Sequence, residues 1–286
     1  MSTPSRQHIN VLDPLKYGFK SLTALPYTAL KFFGLFILTD IANSGILTAL
    51  FQKYTSSTTP VPFFAIPSGL NVSVYFGATP IGPLGTIFQW LNTHLVHAPW
   101  YALTAFALAF IFLRTILYAV LINIALHWHD TETAITEKFI PTPYSVIWLM
   151  LLTTIASLII QSLPGIMAPY TGMQTALLIL ALMFILLIYI ALRYCFLFYY
   201  MIDTKSSLTT ALKNVENVIW RINLFPLFVA TGLPSLCFLY HSYLRTLPVL
   251  EPGYILSLEL PITYWVSTFA LVYIYRKLFF AQEISY

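Results

Sequence analysis

The chain has 286 residues, of which 58% are hydrophobic and only 8% charged, whereas an ordinary soluble domain is about a quarter charged. Its 14 Lys and Arg with 10 Asp and Glu cannot cover a folded surface of this size in water, so the composition predicts a membrane protein. The net charge of +4 is small and scattered, which excludes the clustered basic face of a nucleic-acid-binding protein.

The first predicted element lies near the N-terminus, at DPLKYGFKSL in residues 13–22. Asp13 is suited to cap a helix and Pro14 to its first turn. Apolar and basic side chains fall on different faces, with Leu15, Phe19 and Leu22 on one and Lys16 and Lys20 on another. We interpret 1–24 as a cytoplasmic amphipathic N-terminus whose cations face lipid headgroups. A basic tail without defined structure is the alternative.

Six stretches are long and apolar enough to cross a bilayer, where a helix needs about 20 residues and must pair its backbone polar groups internally. They lie near 25–51, 98–126, 144–166, 174–201, 224–244 and 255–280. The expected fold is therefore all-α, a polytopic transmembrane bundle forming a single domain over 1–286.

The basic residues fall mainly on one side of this layout. Eleven Lys and Arg lie in that side's connections, Lys53 and Arg245 lie on the other side, and Arg114 lies within the second stretch. Cytoplasmic loops carry the excess of Lys and Arg, so both termini are expected in the cytoplasm.

The long connection over 52–97 would then lie outside the cytoplasm. Gly and Pro punctuate it, and apolar residues fill the gaps between them. That apolar content argues against disorder, so we predict an ordered cap over the outer face.

Two opposite charges fall within the first two stretches. Asp40 sits near the middle of the first and Arg114 near the middle of the second, so antiparallel helices would hold them at similar depth. An unpaired charge there costs several kcal/mol, and we predict a buried ion pair. The pair either fixes the register of the two helices, which is the favoured interpretation, or belongs to a substrate or proton path.

No catalytic motif is visible along the chain. His127, His129 and Asp130 resemble metal ligands, but on one helix the two histidines would point about 200° apart. We therefore predict no catalytic residues, no metal and no cofactor.

The segment from Ser207 to Trp220 has apolar residues at helical spacing and polar residues opposite them. Ser206 or Ser207 can cap its start. We predict a cytoplasmic amphipathic helix within 203–221. It either docks a partner or, as favoured here, rests on its own bundle or on lipid.

Residues 193–214, RYCFLFYYMIDTKSSLTTALKN, resemble a signature found in a broad group of bacterial and archaeal membrane proteins. That group includes the membrane domain attached to some glycerophosphodiester phosphodiesterases. The spacing from Asp203 to Ala211 is one residue shorter than in the group, and a Pro often found in its turn is absent. The matching positions are Arg193, Tyr194, Tyr199, Asp203, Ser207, Ala211 and Leu212.

Residues 11–22, VLDPLKYGFKSL, also look like the opening of that group. The resemblance implies a multi-helix domain without established chemistry, in a bacterial inner membrane. Arg193 would then reach inner-leaflet phosphates or contact Asp203, holding the amphipathic helix against the bundle.

Taken together, these features predict a membrane scaffold or accessory subunit. Its expected partners are membrane lipids, other membrane subunits or a second copy of the chain. The alternative is a small transporter or lipid-handling protein that uses Asp40 and Arg114.

Overall fold

The computed structural model describes residues 9–39, 90, 93–95, 97–128, 144–153, 155–156, 173–219, 224–244 and 253–280. Within these ranges the regular elements are helices, and no strand is present. The predicted all-helical class is thereby confirmed for this part of the chain.

The helices of the described residues follow in chain order. They are α1 Leu12–Ala24, α2 Pro26–Thr39, α3 Trp100–His127, α4 Tyr144–Thr153, α5 Met173–Arg193, α6 Leu197–Thr204, α7 Leu208–Ile219, α8 Leu224–Leu244 and α9 Gly253–Phe280.

Helix α9 lies at the centre of the described structure. Its residues 264–275 are all buried, and α1, α3 and α8 pack against it. Helix α2 joins them through Phe32, which contacts Trp265, and Phe36, which contacts Tyr264. Because other helices surround residues 264–275 of α9, this part of the helix has no solvent-facing side and needs no stripe of polar residues.

Helix α1 meets α9 through a face that differs from the apolar face expected from the sequence. The buried side chains of α1 are Pro14, Tyr17, Gly18 and Ser21, whereas Phe19 is 54% exposed. Phe19 is therefore exposed on the open side of α1, together with Lys16 and Lys20, and the side chains that pack on α9 are not those of the predicted apolar face. A close approach of two helices selects the smallest side chain at the crossing, and here that is Gly18.

The expected cap of α1 is also wrong. The helix begins at Leu12, and Asp13 lies within its first turn. The Leu12 N–H donates to the Asn10 side-chain oxygen at 3.2 Å. A residue before Asp13 thus satisfies one of the N–H groups that a helix start leaves free.

The candidate spans are fewer than the sequence suggests. Among the helices whose side chains are all described, α3 is the one that is long and apolar enough to cross a bilayer. Helices α1 and α2, bent by 97° between them, add a second if the pair counts as one broken span. The count of six therefore stays a prediction.

One other expectation about the layout changes, and two others lie partly outside the described residues. The stretch 174–201 is divided, because α5 ends at Arg193 and α6 starts at Leu197 after a turn. Of the expected first span, residues after Thr39 lie outside the described residues. Most of the predicted cap over 52–97 does so too, apart from residues 90, 93–95 and 97.

Candidate functional site

Among the described residues, a network of polar side chains links α5, α6, α7 and α9. We call it the junction and define it by Arg193, Asp203, Ser207, Glu216 and Tyr275. It contains the residues that the sequence singled out after the fourth stretch, together with two that it did not.

Two residues, Lys205 and Ser207, set the backbone path of the junction. Lys205 has a left-handed conformation, with φ of 52°, and this ends α6. The Thr210 N–H then donates to the Ser207 hydroxyl at 3.4 Å, so Ser207 caps the start of α7. These two residues turn the chain so that α7 packs against both α6 and α5.

Arg193 ties the end of α5 to α7. Its guanidinium forms an ion pair with Glu216 and donates to the Tyr189 hydroxyl at 2.8 Å. It also lies 5.6 Å from the ring centre of Tyr194. The sequence expectation paired Arg193 with Asp203 or with lipid phosphate, and the carboxylate that it contacts is that of Glu216.

Asp203 has a different partner, on α9. The Tyr275 hydroxyl donates to the Asp203 carboxylate at 2.8 Å, which ties α6 to α9. The Tyr275 ring packs against Phe196 and Phe279. A hydrogen bond to a charged group is stronger than a neutral one, so this contact fixes the height of α6 along α9.

Two further bonds complete this end of the bundle. The Asn214 side-chain amide of α7 donates to the Tyr200 hydroxyl of α6 at 2.8 Å. The Arg276 guanidinium of α9 donates to the backbone carbonyl of Leu126 in α3. The carbonyls in the last turn of a helix have no partner within the helix, and Arg276 satisfies one of them.

Helix α7 rests on its own bundle in the described structure. Ala211 and Val215 are fully buried, while Thr209, Lys213 and Asn214 are exposed. Of the two roles considered for this helix, its apolar face therefore serves packing within the chain. The polar face is the part available to a partner.

A second region surrounds Arg114 in the middle of α3. The residue is 1% exposed, and its guanidinium carbon lies 4.4 Å above the centre of the Phe36 ring in α2. One turn further along α3, Tyr118 packs edge-on against Tyr264 of α9. A buried guanidinium on an aromatic face is a cation–π contact of a kind that strengthens with desolvation.

Asp40, the predicted partner of Arg114, lies outside the described residues. The ion pair stays a prediction.

The described residues contain no group of three His, Cys, Asp or Glu that could hold a metal ion. His127 has a local contact, with its Nδ1 hydrogen-bonded to the Asn123 carbonyl at 2.9 Å. His129 and Asp130 lie outside the described residues.

Sequence reasoning missed three residues that the structure brings to important contacts. Glu216 shares the polar face of α7 with Lys213, a pattern that indicates exposure but names no partner. Tyr275 reads as an interfacial aromatic residue. Ser21 reads as an ordinary polar residue of α1, yet it is buried and accepts a hydrogen bond from the Trp265 indole at 2.8 Å.

No protein-family model, curated protein or solved structure matches this chain. The resemblance carried by residues 193–214 and 11–22 stays a prediction.

Proposed function

We propose that this protein is an integral membrane scaffold or accessory subunit with about six spanning helices and both termini in the cytoplasm. The observation that carries the proposal is the apolar side of α5. Six large side chains along it are 39–65% exposed: Leu178, Leu182, Ile185, Leu186, Tyr189 and Ile190. A continuous apolar face of this length is uncommon on a protein surrounded by water.

The length of α5 supports the same interpretation. Its 21 residues extend about 31 Å at 1.5 Å per residue, close to the hydrocarbon thickness of a bilayer, about 30 Å. Its single charged residue, Arg193, lies at its C-terminal end. Helices α8 and α9, of 21 and 28 residues, are also long enough to cross a bilayer.

Other helices expose apolar side chains in the same way. On α2 these include Leu30, Leu35 and Leu38, opposite the face that packs on α9. On α3 they include Phe106 and Leu113. Lipid chains would cover such side chains without the penalty that water imposes.

The junction supports a scaffold role. Arg193 pairs with Glu216, and Asp203 accepts a hydrogen bond from Tyr275, so these contacts hold four helices together and leave the polar face of α7 exposed. Membrane lipids, other membrane subunits or a second copy of the chain are the proposed partners. A bacterial inner membrane, suggested by the signature resemblance, is the proposed location.

Two experiments test this proposal. Accessibility labelling from each side of sealed vesicles should find a cysteine replacing Lys53 outside and one replacing Lys205 inside. Both positions on the same side would contradict the six-span layout. Affinity purification in mild detergent with mass spectrometry should find a retained partner, and a solitary monomer in repeated preparations would contradict the scaffold role.

A small transporter or lipid-handling protein is the second candidate, favoured by the buried Arg114 in the middle of α3. A cation held at that depth has a large energetic cost, and residues of this kind usually have a structural or transport role. Reconstituted vesicles should then show substrate-dependent flux that Asp40→Asn abolishes. Unchanged flux in that variant, with the protein folded, would reject this candidate.

A further inference from the structure

We infer that the outer face of α1 is a binding surface for the headgroups of anionic phospholipids, with Lys16 and Lys20 as the contacting groups. This inference rests on the proposed membrane location and adds to it the class of lipid and the residues involved.

Helix α1 has two opposite faces. Pro14, Tyr17, Gly18 and Ser21 are buried against the bundle, and the reverse side is open. That reverse side presents Leu12, Lys16, Phe19, Lys20 and Thr23, with Leu12 56% and Phe19 54% exposed. Two large apolar side chains beside two lysines are poorly suited to water, but they suit the boundary between headgroups and acyl chains.

The inner face of α1 holds the helix firmly in this orientation. A Cβ added to Gly18 would lie 2.5 Å from the Val266 carbonyl oxygen, so the two backbones are in direct contact. Trp265 donates to Ser21, and Tyr17 packs against Trp128 and Tyr273. Lys16 and Lys20 therefore cannot turn inward without separating α1 from α9.

The bend between α1 and α2 sets the direction of α1. The two helices meet at 97°. If α2 crosses the bilayer near its normal, α1 must lie close to the membrane plane, which is the orientation of interfacial helices. Tyr273, which Tyr17 contacts, precedes Arg276 and Lys277 by about one turn, so this half of α1 lies near the basic end of α9.

The charge of the face selects the partner. Lys16 and Lys20 lie about 6 Å apart along the helix axis, and both side chains are exposed. Asp13 precedes Lys16 by three residues and therefore lies beside the lysines, but it is half-buried, and the two lysines leave this side of α1 with a net positive charge. Each lysine near an anionic membrane surface contributes about fivefold to binding. The face should therefore prefer phosphatidylglycerol to phosphatidylcholine.

Native mass spectrometry of the full chain in mild detergent tests the inference, with equal concentrations of phosphatidylglycerol and phosphatidylcholine added. The wild type should retain more phosphatidylglycerol, and Lys16→Gln with Lys20→Gln should reduce that excess at least fivefold. The matched control, Lys31→Gln with Lys205→Gln, removes the same charge from exposed positions on other elements and should keep the excess. Inorganic phosphate at equal concentration should not displace the lipid.

Equal loss in the two double variants would overturn the inference, because a general charge effect would then explain it. Absence of a preference in the wild type, or displacement by inorganic phosphate, would overturn it too. These results are separable from failure of the proposed function. A chain that stays embedded after alkaline extraction yet shows no lipid preference refutes only the role of α1, whereas a chain released by that extraction refutes the membrane location.

Discussion

The contact between α1 and α9 leaves no room for a side chain at Gly18, so Gly18→Ala should destabilise the protein. The added Cβ would lie 2.5 Å from the Val266 carbonyl oxygen and 2.9 Å from its Cγ1. The nearer atom belongs to the backbone of the central helix, so relief requires moving one helix relative to the other. Forced overpacking of this kind costs about 1–3 kcal/mol.

A second effect of the substitution acts in the opposite direction. Alanine favours a helix over glycine by about 0.5–1 kcal/mol. Taking the middle of each range, the free energy of unfolding should therefore fall by about 1 kcal/mol in Gly18→Ala. Gly34 in α2 is the matched control, because a Cβ there meets nothing within 4 Å. Gly34→Ala should raise the free energy of unfolding by about 0.5–1 kcal/mol.

The two variants can be compared by unfolding in mixed micelles with increasing denaturing detergent, followed by tryptophan fluorescence. We expect Gly18→Ala to lower the free energy of unfolding and Gly34→Ala to raise it, although the chemical change is the same. Thermal unfolding should show the same order, since about 1 kcal/mol corresponds to about 2–4 °C in proteins somewhat smaller than this one. A Gly18→Ala protein as stable as the wild type would refute the close approach of α1 to α9.

Three further predictions concern buried or paired side chains. Ser21→Ala removes the acceptor of the buried Trp265 indole N–H and should lower the free energy of unfolding by about 1–3 kcal/mol in the same assay. A double-mutant cycle of Arg193→Gln and Glu216→Gln should give a coupling of about 0.2–1 kcal/mol that weakens at high salt, because both side chains are partly exposed. The fully buried Cys195 should resist maleimide until the protein is unfolded.

Each of these has its own control. Thr23→Ala removes an exposed hydroxyl that donates to the Lys20 carbonyl within α1, so it should hardly change the free energy of unfolding. If Thr23→Ala lowers that free energy as much as Ser21→Ala does, the bond between Trp265 and Ser21 does not explain the effect. A salt-independent or absent coupling would mean that Arg193 and Glu216 do not pair in solution. The cysteine measurement uses a Cys237→Ser background, and fast labelling of the folded protein would contradict the burial of the turn after α5.

The helix that the sequence predicted best is α7. Its apolar residues recur at helical spacing with polar residues opposite them, and this pattern is local, so the helix at Leu208–Ile219 follows from adjacent residues. The sequence left its cap open between Ser206 and Ser207, and the structure shows Ser207 in that position. The division of the fourth stretch at Arg193 was missed, because hydropathy continues through the break into the aromatic residues of α6.

The contacts of the junction and of α1 could not be predicted. Arg193 selects Glu216 over Asp203 because of how the left-handed Lys205 turns the chain, and Asp203 is left for Tyr275. On α1, hydrophobicity ranks Phe19 above Gly18, yet packing favours the smaller residue. The polarity of a side chain does not indicate which face of a helix will pack closely against the backbone of a neighbouring helix.

The amino-acid sequence by itself indicated that this chain is helical and predicted a membrane location, because composition and helical spacing depend on each residue and its near neighbours. The tertiary structure alone decided which face of α1 is buried and which charges pair. Those choices depend on the distance between two backbones and on acceptors supplied by residues far away in the chain.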